Sequence, residues 1–150
     1  MKIFLGADHR GFELKEKLKK YLAELGYEIE DMGAFEYNKD DDYPDFARKV
    51  AESVAGDPEG NRGVLVCGSG VGVAIAANKI KGIRAGTAIN AEQIKDSVSD
   101  EDTNVLAISV DYISEDQTKE ITKSFLETKF SGEERYIRRI NKIKNLEKNG

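Results

Sequence analysis

The chemistry open to this chain is concentrated in a few places. Cys67 is its only cysteine and His9 its only histidine. Cys67 begins the stretch CGSGVG, residues 67–72, between the apolar run GVLV and the helix-like run VAIAANK. A thiol acts as base or nucleophile only as the thiolate; its reference pKa is about 8.5, and a helix N-terminus favours the charged form. Gly68, Ser69, Gly70, Val71 and Gly72 would leave several backbone N–H groups free at a strand–helix turn. Such donors suit an anion or a developing oxyanion. The stretch is not a phosphate loop ending in Gly-Lys-Ser/Thr, and it matches the dinucleotide fingerprint only loosely. Asp8 and His9 follow the first apolar run, where His9 could bind a phosphate or move a proton. Arg135 and Arg139 are four apart, so on a helix they share a face and could grip one phosphate.

Each feature also has a plainer reading. The glycines could serve only a tight turn, Cys67 could be a small buried apolar residue, and the arginines could be a solvated helix face. A nucleophilic Cys67–His9 pair is also open on these residues alone. One Cys and one His make a poor zinc set, so no metal is expected.

Five β-prone runs must position these groups: 2–7, 27–32, 63–67, 84–89 and 104–109. Helical spacing covers 10–25, with Gly26 as a C-terminal cap, then 45–56 and 71–82, the last closed by Gly82. The acid- and proline-bearing NKDDDYPD, 38–45, reads as a loop. Residues 115–147 read as two charged amphipathic helices, broken at Ser131-Gly132. Strands alternating with helices imply a parallel sheet with right-handed crossovers. GVLVC is apolar on both faces, as in a sheet covered on both sides. The expected fold is therefore α/β: a Rossmann-like three-layer α/β/α sandwich with a five-stranded parallel sheet and extra C-terminal helices. Ligands of such sheets sit beyond the carboxyl ends of the strands, where Asp8, His9 and Cys67–Gly72 would lie.

The absence of any composition break puts residues 1–150 in one domain. A net charge of -5 argues against a nucleic-acid surface, and no apolar run is long enough to span a bilayer. One cysteine allows no intrachain disulfide, which suits a reducing cytoplasm.

Together these stretches resemble the type-B ribose-5-phosphate isomerases, a group that includes the galactose-6-phosphate isomerase subunits. GADHRGFELKEKL resembles the family's opening strand, acidic–histidine pair and first helix. DYPDFA (42–47), CGSGVGVAIAANKIKGIRA (67–85) and DTNVLAIS (102–109) extend the likeness from Lys2 to about Ile140. The resemblance implies conversion of an aldose phosphate to a ketose phosphate through an enediolate, without a cofactor. It implies Cys67 as the base between C1 and C2; the glutamate used by other members falls at Val73 here. Ser69 is implied to move hydroxyl protons, and the amides of 68–72 to form the anion hole. Asp8 would hold sugar hydroxyls, and His9, Arg135 and Arg139 the phosphate. A homodimer or dimer of dimers is implied, with each site completed across a subunit interface.

Two positions depart from the family pattern. Asp100 stands where a ring-opening histidine is common, followed by Glu101 in place of asparagine. GEERY (132–136) replaces a Gly-Gly-Arg-His-like segment and is one residue longer. Asp100 is taken as the substitute acid–base group and Glu101 as a substrate-binding residue. Ribose 5-phosphate to ribulose 5-phosphate is the expected reaction. Isomerisation of a tetrose or hexose phosphate, or a catalytically silent sugar-phosphate-binding subunit, are the competing readings.

Overall fold

The computed structural model describes residues 1–148. The elements in chain order are β1 (Lys2–Ala7), α1 (Phe12–Glu24), β2 (Glu28–Asp31), α2 (Tyr43–Ala55), β3 (Arg62–Cys67), α3 (Val71–Ala77), β4 (Ala85–Thr87), α4 (Ala91–Glu101), β5 (Val105–Ser109), α5 (Glu115–Glu127) and α6 (Glu134–Lys148). All five strands run parallel, in the order β2-β1-β3-β5-β4. The chain moves from β1 outward to β2, then crosses back to β3 on the other flank. The switch in direction therefore falls between β1 and β3, the crevice where open α/β sheets bind ligands.

Alternation along the central strands builds two cores. Ile3, Leu5, Val64, Val66, Leu106 and Ile108 face α1, α4 and α5. Phe4, Leu65, Cys67, Val105 and Ala107 face α2 and α3. Val64 and Leu65 have no exposed surface, and burial of each such side chain contributes roughly 1.5–3 kcal/mol. The three-layer architecture and five-stranded parallel sheet are thus as expected. Gly26 closes α1 with φ 90°: its amide donates to Ala23 O, and Tyr27 N–H donates to Leu22 O. This paired closure is the geometry that favours glycine just past a helix end.

Four points differ from the sequence expectation. α2 begins at Tyr43, inside the stretch 38–45 expected as a loop, because Pro44 with its fixed φ suits a first helical turn. The 71–82 helix stops at Ala77, because the Asn78 side chain leaves it to pair with β4, accepting from Ala85 N–H at 2.8 Å and donating to Ala85 O at 3.0 Å. Gly82 does not cap that helix; its amide donates to Glu147 Oε1 of α6 at 3.0 Å. β4 is three residues long rather than six. The C-terminal break is where expected, with Gly132 at φ 72° between α5 and α6. α6 lies against α4, and Ile140 is its buried residue. No helix of the described residues is long and apolar enough to cross a membrane.

Candidate active site

Two strand ends meet at the switch point. β1 ends at Ala7, opposite Val66 of β3, and Cys67 closes β3 opposite Ser109 of β5. The chain leaving β1 turns tightly over β3 at Gly11. A Cβ on Gly11 would lie 2.4 Å from Val66 O, so only glycine lets α1 begin this close to β3. That approach sets Asp8 and His9 beside the end of β3. Asp8 is 6% exposed and its Oδ1 accepts the Gly11 amide at 3.1 Å. Burial pushes the Asp8 carboxyl above the usual carboxylate range, against the opposing pull of the Gly11 amide and His9.

The 33–42 segment crosses over the end of β1. Ala7 N–H donates to Gly33 O at 2.9 Å and Ala34 N–H to Ala7 O at 2.8 Å. Its root is held by a buried cation: Lys15 Nζ donates to Asp31 Oδ1 at 2.7 Å and to Ala34 O at 2.5 Å. Asp41, at the far end, accepts both the His9 amide at 2.9 Å and His9 Nδ1 at 2.7 Å on one oxygen. That contact fixes the ring and leaves Nε2 as its other polar atom. The second oxygen, Oδ2, is buried without a partner among the described residues. Asp8, His9 and Asp41 offer ligand atoms within 4.8 Å of one another, a spacing that would admit a cation. The Nδ1–Asp41 hydrogen bond already accounts for one of those atoms.

The glycine turn is built around the sulfur. Gly70 takes φ 76°, a left-handed conformation that favours glycine, and its amide donates to Cys67 Sγ at 3.2 Å. Val71 N–H donates to Ser69 Oγ at 3.2 Å. Two of the expected anion-hole amides are therefore engaged within the turn. Those of Gly68, Ser69 and Gly72 donate to no protein acceptor among the described residues. β5 clamps the same turn: Ser109 Oγ donates to Gly68 O at 2.7 Å, and the Val110 and Asp111 amides donate to Cys67 O and Gly68 O at 3.0 and 3.1 Å. Cys67 is buried, 4% exposed, while Ser69 is exposed. The Tyr43 ring lies against Gly72 at the start of α3.

The sequence candidates thus fall into two groups. Asp8, His9, Cys67, Gly68, Ser69, Gly70, Val71 and Gly72 converge at the carboxyl end of the sheet. Asp100 and Glu101 end α4, whose cap residue Asp102 pairs with Arg84 and Arg62 at the amino end. The length of β3 alone separates the two ends by roughly 16 Å. Arg135 and Arg139 flank Tyr136 on exposed α6, at 4.6 and 5.7 Å from its ring, and Ser131 just before α6 bonds Ser99 of α4. Within the chain, positions 100, 101, 135 and 139 lie away from Cys67. A cavity of about 740 Å³ near this group, lined by Lys79, Arg84, Ile143 and Leu146, is also remote from the thiol.

Sequence reasoning missed Asp41, Arg10 and Asp111. Asp41 sits among Asp40, Asp42 and Asp45, and nothing in that acidic run marks which carboxylate reaches His9. Arg10 pairs with Asp111 across 101 positions of sequence, a distance at which no local pattern carries a signal.

A model of the Ribose/Galactose Isomerase family matches residues 3–143. The chain is 40% identical to a putative sugar phosphate isomerase of Bacillus subtilis over 147 residues, covering 98% of this chain and 97% of that one. It is 38% identical to ribose-5-phosphate isomerase B of Escherichia coli over 146 residues, 97% and 96% of the two chains. Among solved structures, ribose-5-phosphate isomerase B of Clostridium thermocellum superposes with a TM-score of 0.93 at 39% identity, covering 99% of each chain. The Mycoplasma genitalium enzyme, solved with bound ribulose 5-phosphate, gives 0.96 at 35% identity over 99% of this chain and 97% of that one. The chain belongs to the ribose/galactose isomerase family.

Proposed function

We propose that this chain is an aldose–ketose isomerase that interconverts ribose 5-phosphate and ribulose 5-phosphate through an enediolate. The observation that carries the proposal is the meeting of Cys67 Sγ, the unengaged amides of the glycine turn, and the Asp8–His9 turn in one crevice. The ribulose 5-phosphate held by the Mycoplasma genitalium relative supports a phosphorylated sugar as the ligand.

Moving a proton from C2 to C1 needs a base and donors for the oxygen on which charge develops. The Cys67 thiolate takes the C2 proton and returns it to C1. The Gly68, Ser69 and Gly72 amides are the donors left to the developing oxyanion, and the Gly70 amide holds the sulfur in place. The exposed Ser69 hydroxyl moves a proton between O1 and O2. Asp8, whose carboxyl burial raises, holds sugar hydroxyls. His9, steadied by Asp41, presents Nε2 to the phosphate.

The remaining residues come from a second copy. Asp100, Glu101, Arg135 and Arg139 share one side of the protomer and Cys67 the other, an arrangement suited to a dimer or dimer of dimers in which α4 and α6 of one copy complete the site of the next. Residues 1–150 act as one domain, and a free thiol used as a base suits the cytoplasm. Asp100 would serve ring opening. A carboxylate is a weaker shuttle near neutral pH than imidazole, which favours tetrose 4-phosphate, unable to close a furanose, as a second substrate.

A coupled assay over four-, five- and six-carbon aldose phosphates tests this. The highest kcat/KM is expected with ribose 5-phosphate. No turnover of any of them would leave a sugar-phosphate-binding subunit as the reading.

A further inference from the structure

Arg10 follows His9 and belongs to none of the roles above. Its guanidinium lies on the backbone of Gly68, the residue after Cys67: a Cβ placed on Gly68 would be 3.2 Å from Arg10 Cζ and Nη1. Asp111 Oδ2 would be 3.1 Å from the same point, and Asp111 Oδ1 accepts from Arg10 Nη2. The Asp111 amide is itself tied to Gly68 O. A cation and an anion thus rest together on the catalytic turn, with side chains 51% and 40% exposed. A surface pair of this kind adds little to stability. Its place is what gives it meaning, since both charges stand against Gly68, in the turn that follows Cys67.

We propose that Arg10 is a further substrate-binding residue, donating to the phosphate beside His9, and that Asp111 is the positioning residue that holds its guanidinium over the turn. The inference rests on the isomerase reading and adds to it. Asp111 engages Nη2, and the guanidinium fork has further donors for a phosphate oxygen. A bare carboxylate at Asp111 would repel both the substrate dianion and the enediolate, so Arg10 also cancels a charge that would oppose binding. Arg10 is held near His9 by the close packing of Gly11 on Val66 and by the Asp41 contacts to His9. The two phosphate donors are therefore presented by one rigid turn.

The test compares the parent with Arg10→Ala, Arg10→Lys, Asp111→Ala and the Arg10→Ala/Asp111→Ala double variant. Two readouts are taken: Kd for inorganic phosphate by calorimetry, and KM and kcat for ribose 5-phosphate. Arg10→Ala should weaken phosphate and raise KM by roughly tenfold to a hundredfold, with kcat within about threefold of the parent. Arg10→Lys, which keeps the charge and loses the fork, should fall between. Removing Asp111 from the Arg10→Ala background should recover about threefold or more in both affinities, because the unopposed carboxylate is gone. The idea is overturned if Arg10→Ala leaves Kd and KM within about twofold of the parent, or if the double variant binds no better than Arg10→Ala. A parent that binds phosphate but turns over no sugar defeats the isomerase reading, while the calorimetric comparison still decides the place of Arg10. A parent that binds no phosphate overturns the proposal.

Discussion

At the amino end of β3, Arg62 and Arg84 share the Asp102 carboxylate, and Arg84 Nε also donates to the carbonyls of Glu101 and Asp102. Asn104 ties Gly82 O and Pro58 O into the same patch. At the carboxyl end of the same strand the charges are differently placed. Asp41 keeps an orphan oxygen, His9 keeps Nε2, and Arg10 keeps part of its fork. The amino end closes its polar groups on one another, which serves the fold. The carboxyl end leaves donors and acceptors open to a ligand, at the cost of a buried unsatisfied atom. Lys15–Asp31 shows the same contrast at closer range. It lies at the root of the 33–42 segment, fully paired, while Asp41 at the other end of that segment is half-satisfied.

If this division is real, variants at the two kinds of place should separate activity from stability. The largest effect belongs to Cys67→Ser. It should lower kcat/KM for ribose 5-phosphate by about 10³-fold, the scale of a lost general base, and leave the unfolding midpoint nearly unchanged.

Asp31→Asn should do the reverse. It takes the better-placed of two carboxylates from the fully buried Lys15 ammonium, leaving Glu16 at 3.2 Å and Ala34 O, and should cost about 2 kcal/mol in a denaturant titration, with the folded fraction still active. Burial acts to raise the Asp31 carboxyl, but hydrogen bonds from Lys15, the Gly33 amide and Lys19 prevail and hold it below the usual range. A depressed carboxyl adds stability in full above its unfolded value, near 3.9, and loses it as pH falls through the folded value. The parent should therefore shed this contribution only below about pH 4, and the Asn variant should lack that acid step.

Asp41→Asn tests the borderline case. The variant should raise KM for ribose 5-phosphate about tenfold and keep kcat, because Asp41 acts only through His9. A loss of stability with no change in KM would move Asp41 into the fold-serving class. The smallest effect is expected at Asp100. Its replacement by alanine should slow ribose 5-phosphate by about threefold and leave erythrose 4-phosphate, which needs no ring opening, unchanged.

The three central strands are legible because they are short apolar runs bounded by Gly, Asp or Ser, and because GVLVC is apolar on both faces; the edge strands β2 (EIED) and β4 (AGT) carry a weaker signal. Cys67 and Asp8 could be placed at strand ends for the same reason. The helix expected over 71–82 outruns α3 because Ile80 continues an apolar pattern, although Ile80 packs in a turn after Ala77. Nothing in KEKLKK distinguishes Lys15 from the other lysines; only the packing of β2 against α1 makes it a buried cation. The partners of His9 and Arg10 lie 32 and 101 positions away, so only the assembled fold identifies Asp41 and Asp111.

The central claim is that the sulfur of Cys67 removes the proton at C2. Ribose 5-phosphate carrying deuterium at C2 tests it directly, with loss of the label from that carbon followed by NMR. The parent should strip deuterium from C2 at least as fast as ketose appears, and Cys67→Ser, folded and still able to bind the sugar, should leave the label in place. Loss of deuterium from C2 at the parental rate in Cys67→Ser would contradict the account.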